Sequence, residues 1–336
     1  MQAQEVKPTG TIAGCTPRAV AFDFAAKREA ELQFEQLEVA FARGQFVWIG
    51  VAFSDVADAR ELLNAFGVLG VETIEDALTR TPATQLARYE EYVHFVVSAA
   101  AVVNDRLAFE RIDCAIGERY MITSHRDGIV FVDGMRRNYQ EDFARFAITP
   151  SFLVYELWDT LIEGYLQVQR DLAKQVAALT ARLMDRSEGE SLFTSVAKLG
   201  AELLEFRKMV LLARAVLNDL ATRHSLYVSE TTQGQLLNLI GSLEHVLQEL
   251  LVDRDVLSES LALHRSLMSH RNNRVIKQLT AANLVFLPLT FLCGVYGMNS
   301  RHLPELEWQY SYAIFWVIAV CFAVFVGWLT RRLRWW

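Results

Sequence analysis

Features that would mark several common protein classes are missing from this chain. Its four cysteines (Cys15, Cys114, Cys293 and Cys321) have no metal-ligand spacing, so neither a zinc site nor a disulfide framework is predicted. There is no phosphate-binding loop, no nucleophile with a base at a workable spacing and no catalytic metal motif. A formal net charge of -7 argues against a nucleic-acid partner. We therefore expect no enzyme, no bound cofactor and no nucleic acid.

Glycine and proline are scarce where the chain is most regular. Residues 242–292 contain no glycine and a single proline, Pro288. Apolar residues recur there and just before at three-four spacing, which predicts a long helix with a coiled-coil-like seam. The seam consists of Leu236, Leu239, Leu243, Val246, Leu250 and Leu257, and Leu261 and Met268 continue it. The alternative is two helices joined at the polar patch 270–273.

Charge is missing from two segments near the C-terminus, 281–295 and 313–328, although 22% of the chain is charged. Extended to 279–298 and 310–330, each segment has about twenty residues, enough to cross a bilayer core. A buried core helix is the alternative for either segment alone, and two in tandem favour membrane spans. The basic residues that flank them predict cytoplasmic termini by the positive-inside rule. These residues are Arg271, Arg274 and Lys277 before the first span and Arg331, Arg332 and Arg334 after the second.

The N-terminal part has the pattern of a mixed α/β domain. The N-terminus lacks the basic-then-apolar pattern of a secretory signal, so this part is expected to stay in the cytoplasm. Compact or alternating apolar runs predict strands at 46–53, 93–103, 107–116, 119–124 and 129–132, and helical spacing occurs at 58–66 and 74–78. From 151 to 222 the pattern changes to a helical hairpin with a polar turn at 185–190.

These patterns together predict an α+β membrane protein with six consecutive parts. They are a cytosolic α/β domain (1–150), a cytosolic helical hairpin (151–229), a stalk helix continuing into transmembrane helix 1 (230–298), an outer loop (299–309), transmembrane helix 2 (310–330) and a basic cytosolic tail (331–336). A single two-helix hairpin cannot enclose a conduction path. If the protein transports anything, it has to oligomerise.

The tripeptide Gly297-Met298-Asn299 lies between the two predicted spans. With the segments 286–291 and 303–306 and the cytosolic segments 74–78 and 155–159, it resembles the signature of the CorA-type family of divalent-cation (magnesium) channels. The resemblance covers nearly the whole chain. It implies a homopentameric funnel in the inner membrane, with both termini cytoplasmic, that transports Mg²⁺ and also Co²⁺ or Ni²⁺.

The resemblance assigns roles to particular residues. Asn299 would form a ring of amide oxygens at the outer mouth, which suits Mg²⁺ because that ion releases its waters reluctantly. Gly297 would allow the tight turn, and Met298 would pack it. The pore face would carry apolar constrictions at Leu279 and Leu287 and further lining side chains at Ile276, Asn283 and Thr290. Without the resemblance, Asn299 reads as a helix-stop residue, and the leucines read as ordinary packing.

Some positions depart from the family pattern. Glu75 and Asp76 match the acidic half of a regulatory Mg²⁺ site, but the matching stalk position is Asn238. A carboxylate with an amide binds a hard dication less well than two carboxylates. Arg301 also follows the tripeptide where acidic residues are common in the family. These departures favour the ZntB-like branch as an alternative, with Zn²⁺ transport coupled to protons. A second alternative is a membrane scaffold or sensor that conducts nothing.

Overall fold

The structure, a computed structural model, describes residues 14–79, 84–126, 130–184, 191–298 and 310–332. The chain divides into two compact units, Met1–Leu257 and Ser258–Trp336. The first unit holds a sheet with its covering helices. The second holds the C-terminal part of one long helix and a second apolar helix.

A seven-stranded mixed sheet forms the centre of the first unit, in the order β2-β1-β3-β7-β6-β5-β4. Only β3 and β7 pair in parallel among the described strands; the other neighbours are antiparallel. The strands are β1 (Cys15–Asp23), β2 (Arg28–Leu32), β3 (Phe46–Phe53), β4 (Gln85–Arg88), β5 (Tyr92–Val103), β6 (Arg106–Gly117) and β7 (Tyr120–Arg126).

Helices cover the sheet and make up most of the remaining chain. They are α1 (Leu37–Ala42), α2 (Val56–Phe66), α3 (Val71–Ala77), α4 (Val130–Phe146), α5 (Phe152–Met184), α6 (Ser191–Thr222), α7 (Glu230–Tyr296) and α8 (Ser311–Arg332). The prediction of a strand at 129–132 is wrong, because α4 begins at Val130. A short apolar run fits a buried strand or a helix equally well by periodicity.

The two faces of the sheet are covered by different helices. On one face, Phe95 of β5 stacks on Trp158 of α5 with ring centroids 6.2 Å apart, and Tyr165 donates a hydrogen bond to the Ser98 carbonyl at 2.7 Å. On the other face, the Tyr92 hydroxyl lies 2.8 Å from that of Thr73 in α3. Alternation along β5 sends Phe95 and Tyr92 to opposite sides, so each helix layer has its own anchor.

Helix α7 is continuous from Glu230 to Tyr296, 67 residues in all, and passes through 270–273 without a break. The prediction of one long helix is therefore confirmed, and the two-helix alternative is wrong. The six seam residues from Leu236 to Leu257 are all buried in the first unit. In the second unit, α7 and α8 both contain a stretch long and apolar enough to cross a membrane. The predicted fold class, an α/β domain followed by a long helix and two apolar helices, is confirmed in these elements.

Candidate functional site

The apolar part of α7 carries the side chains that the sequence predicts to line a pore. Ile276, Leu279, Asn283, Leu287 and Thr290 recur every three or four residues, so they share one face of the helix. All five side chains are exposed in the single chain, Leu279 by 61% and Leu287 by 70%. The structure thus brings the five residues onto one exposed face.

The opposite face of the same segment is covered. Ala281 is buried, and Val285 and Leu292 are partly buried. At about 100° per residue, these positions lie on the far side of the helix from Leu287. A cavity of about 650 Å³ next to Ala281 is lined by residues of both α7 and α8. The second unit therefore has one face of α7 turned toward α8 and the predicted pore face turned away from it.

Pro288 lies inside this segment and alters its hydrogen bonding. Its nitrogen carries no hydrogen, so it cannot donate to the carbonyl one turn earlier. Two residues further on, Thr290 Oγ1 donates to the Phe286 carbonyl at 2.8 Å. The hydroxyl oxygen keeps lone pairs that can accept a hydrogen bond from water around a hydrated cation. Thr290 therefore stays satisfied within the helix and still offers an acceptor on the exposed face.

Helix α7 ends at the tripeptide. The Gly297 N–H donates to the Cys293 carbonyl at 2.9 Å, and a Cβ at Gly297 would lie only 3.0 Å from that oxygen. This close approach explains why a glycine suits the position. Met298 is exposed in the single chain, and its predicted packing over the turn stays a prediction. Asn299, Arg301 and the rest of the predicted outer loop lie outside the described residues.

The two acidic residues expected at a regulatory site already have basic partners. Glu75 accepts two hydrogen bonds from Arg60, at 2.7 and 2.8 Å, and both side chains are about half exposed. Asp76 Oδ2 accepts from Arg111 Nη2 at 2.9 Å and also from the Gln85 amide. The structure therefore places the two carboxylates in separate ion pairs within one chain.

Asn238, the stalk position expected to complete that site, is exposed on α7. The next carboxylate along this part of the helix, Glu244, accepts a hydrogen bond from Arg214 of α6 at 2.6 Å. Both residues belong to the first unit. Among the described residues, neither of them forms a hydrogen bond or an ion pair with Asp76.

A buried carboxylate on α5 was missed by the sequence reasoning. Glu156 is only 4% exposed, and no hydrogen bond or ion pair to its carboxylate occurs among the described residues. Burial, and then the negative charges of Asp142 on α4 and of Asp159 and Glu163 on α5, raise the pKa of Glu156 to about 7. Burial, and then the charges of Glu163 and Asp142, raise the pKa of Asp159. The sequence carries no clear signal of this burial, since Glu156 reads as an ordinary glutamate of the predicted helical hairpin.

This carboxylate makes the stability of the first unit depend on pH. The folded chain keeps the Glu156 proton up to about pH 7, whereas the unfolded chain loses it near its ordinary value of 4.5. Stability should therefore fall as the pH rises from about 4.5 to 7 and stay lower above that. Glu156→Gln is expected to stabilise the protein by about 1–2 kcal/mol at pH 8 and hardly at all at pH 5.

The measurement is thermal unfolding of the purified full-length protein at the two pH values. Glu205→Gln is a suitable control, because it removes an exposed glutamate of α6. Equal effects of Glu156→Gln at pH 5 and pH 8 would mean that Glu156 is charged throughout the range.

Comparison with known proteins identifies what this arrangement is similar to. Residues 43–332 match the family described as "CorA-like Mg²⁺ transporter protein". The cobalt/magnesium transport protein CorA of Thermotoga maritima is 25% identical over 287 residues, which cover 83% of this chain and 81% of that protein. The zinc transport protein ZntB of Photorhabdus laumondii is 25% identical over 143 residues, 42% of this chain and 43% of that protein.

The fold is also similar to that of a solved structure. The complete structure of the CorA magnesium transporter from Methanocaldococcus jannaschii superposes with a TM-score of 0.83 at 18% identity. The match covers 94% of this chain and 97% of that one. The sheet with its covering helices and the two apolar segments therefore have counterparts in that structure.

Proposed function

Since the chain belongs to the CorA-like Mg²⁺ transporter family, we propose that it conducts Mg²⁺ through a homopentameric pore in the inner membrane. Each copy would contribute the exposed face of α7 to the pore and Asn299 to a ring at its outer mouth. The family is one of divalent-cation transporters rather than of enzymes. Both termini would lie in the cytoplasm, as the basic flanks predict.

The observation that carries this proposal is the exposed polar side chain of Asn283 within a membrane-length apolar segment. An amide facing lipid is costly unless it finds a partner, and so is better placed facing water or another helix. Asn283 shares its face with Thr290, and both can hydrogen-bond the waters of a hydrated cation. This combination suits a path for an ion that keeps its hydration shell, as Mg²⁺ prefers to do.

Exposed apolar side chains on the same face support assembly of several copies. Leu279 and Leu287 would meet their counterparts around a central axis and form narrow apolar rings. Such rings gate by dewetting, because a narrow apolar passage holds water poorly. Uptake would follow the inside-negative membrane potential, worth about 2.3 kcal/mol per charge per 100 mV and about twice that for a dication.

A second candidate function is proton-coupled Zn²⁺ transport of the ZntB-like type. It is favoured by two departures from the magnesium-channel pattern. Arg301 follows the tripeptide where acidic residues are common in the family, and Asn238 stands in place of a regulatory carboxylate. Co²⁺ and Ni²⁺ remain further candidates as transported ions. A regulatory role for Glu75 and Asp76 stays a prediction, as does the alternative of a scaffold or sensor that does not conduct.

The ion and the coupling can be separated in one experiment. Purified protein is reconstituted in vesicles that contain Mg²⁺- or Zn²⁺-sensitive dyes, with and without a pH gradient. The proposal predicts Mg²⁺ entry that does not depend on the gradient. Zn²⁺ entry accelerated by protons would favour the second function, and no entry of either ion would favour a scaffold or sensor.

The assembly has its own test. Native mass measurement of the detergent-purified protein is expected to give a homopentamer as the main species. A stable monomer or dimer that still transports Mg²⁺ would contradict the proposed pore, because one or two copies cannot enclose it.

A further inference from the structure

Four charged or ionisable side chains meet on the face of the sheet that α3 covers. Arg111 and Asp113 lie two residues apart on β6, so both point to the same face. His94 on the neighbouring strand β5 pairs with Ala115, which lies two residues after Asp113 on β6, so His94 points to the same face. The short helix α3 contributes Asp76 from above the sheet. The fold thus gathers residues that are distant in sequence into one cluster.

The guanidinium of Arg111 lies at the centre of this cluster. Its Nη2 donates to Asp76 Oδ2 at 2.9 Å and to Asp113 Oδ1 at 2.8 Å, and its Nε donates to Asp113 Oδ2 at 2.7 Å. His94 Nε2 lies 3.1 Å from Asp113 Oδ1. The side chain of Arg111 is only 7% exposed, whereas that of Asp76 is 32% exposed. Asp76 is therefore the member through which solvent reaches the cluster.

Without the arginine, the other three residues would resemble a metal site. One ligand atom each from Asp76, His94 and Asp113 can be chosen so that all three lie within 4.8 Å of one another. An imidazole with two carboxylates is a ligand set that Zn²⁺, Co²⁺ and Ni²⁺ accept in proteins. The carboxylates of Asp76 and Asp113, however, already accept hydrogen bonds from Arg111.

We propose that Arg111 is a resident cation that takes the place of a divalent metal ion between Asp76 and Asp113 and keeps such ions out. The carboxylate of Asp76 is then held by an internal counter-ion whatever the concentration of divalent cations around it. For the proposed transporter, on which this consequence rests, Asp76 would not sense the transported ion, which is the opposite of the regulatory role that the family resemblance predicts for it. The attachment of α3 to the sheet would be independent of metal.

The competition favours the arginine for two physical reasons. A guanidinium remains charged at any physiological pH, and its planar fork matches two carboxylates at once. Burial lowers the pKa of Arg111, but the hydrogen bonds and charges of Asp113 and Asp76 outweigh it and leave the pKa above its ordinary value. A metal ion that displaced the guanidinium would also leave a buried cation without its partners, which is strongly destabilising.

The test uses Co²⁺ as the probe, because its visible absorption reports ligands directly. The purified full-length protein is titrated with Co²⁺ alongside Arg111→Met, which keeps the length of the side chain and removes its charge. We expect Arg111→Met to give a Co²⁺ spectrum with nitrogen and carboxylate ligands, and the wild type to give none at Co²⁺ concentrations a hundredfold above those that saturate the variant. Adding His94→Ala to Arg111→Met should abolish the gain.

A matched control is available on the same surface. Arg60→Met removes the arginine of another ion pair, with Glu75, where no histidine or second carboxylate completes a ligand set among the described residues. It should gain no Co²⁺ binding. If Arg111→Met does not fold, Arg111→Lys keeps a charge without the fork and should still bind Co²⁺ more tightly than the wild type.

Two results would overturn the proposal. One is a wild-type protein that binds Co²⁺ and loses it on His94→Ala. The other is a folded Arg111→Met protein that binds no more Co²⁺ than the wild type. Vesicle transport measured on the same preparations separates this proposal from the proposed function. A wild-type protein that does not transport would contradict the proposed function and leave the role of Arg111 unaffected.

Discussion

Asn299→Ala is expected to lower Mg²⁺ transport by roughly fifty- to a hundredfold. In the proposed pore, each copy loses an amide that holds the waters of the incoming ion. If each amide contributes about 0.5 kcal/mol, five copies contribute about 2.5 kcal/mol, which corresponds to that change in rate. The measurement is the initial rate of Mg²⁺ entry into dye-loaded vesicles that contain the purified variant.

The adjacent residue provides the control for this substitution. Ser300→Ala changes a polar residue to alanine at the next position and is expected to transport within about twofold of the wild type. Asn299→Gln keeps the amide on a longer side chain and should retain part of the activity. Mg²⁺ entry by Asn299→Ala at the wild-type rate would show that no amide ring at this position selects the ion.

Leu287→Ser should have the second large effect, in the opposite direction. Leu287 is exposed on the face of α7 that would line the pore, where a ring of leucines would exclude water. A ring of hydroxyls holds water and so lowers the barrier to a hydrated ion. We expect Mg²⁺ entry to rise by about tenfold, equivalent to a barrier lower by about 1.4 kcal/mol.

Leu284 is a matched control because it is also a leucine exposed in the apolar part of α7. Three residues before Leu287, it lies about 60° from it around the helix and nearly 100° from the middle of the proposed pore face. Leu284→Ser should leave the rate of entry close to that of the wild type. Equal acceleration by the two serine variants would mean that a general loosening of the helix, and not hydration of a pore ring, is responsible.

The C-terminal half of the chain is the part that the sequence predicts best. A helix of 67 residues has a long repeating pattern of apolar residues that is easy to recognise in the sequence. The two charge-free segments are also longer than most core helices. The strands β1, β2 and β4 were not predicted. Both β2 and β4 are short edge strands, and few of their residues are buried, so the alternation that identifies a strand is weak there.

The surroundings of the site residues were less predictable than their positions. Asp76 was expected as a metal ligand, yet its partner Arg111 lies 35 positions away and meets it only because α3 packs over the sheet that contains β6. In the sequence Glu156 looks like an ordinary helical glutamate, and its burial arises only from packing in the folded unit. That the predicted pore residues of 276–290 share one face follows from periodicity alone, whereas the environment of Asn299 depends on residues outside those the structure describes.

Voltage-driven Mg²⁺ uptake tests the central claim most directly. Purified protein in vesicles is exposed to external Mg²⁺ at a series of imposed potassium diffusion potentials, with no pH gradient. A divalent-cation channel predicts an entry rate that rises with inside-negative potential and is absent from protein-free vesicles. Rates that stay at the protein-free level at every potential, for Mg²⁺, Co²⁺ and Zn²⁺ alike, would contradict it.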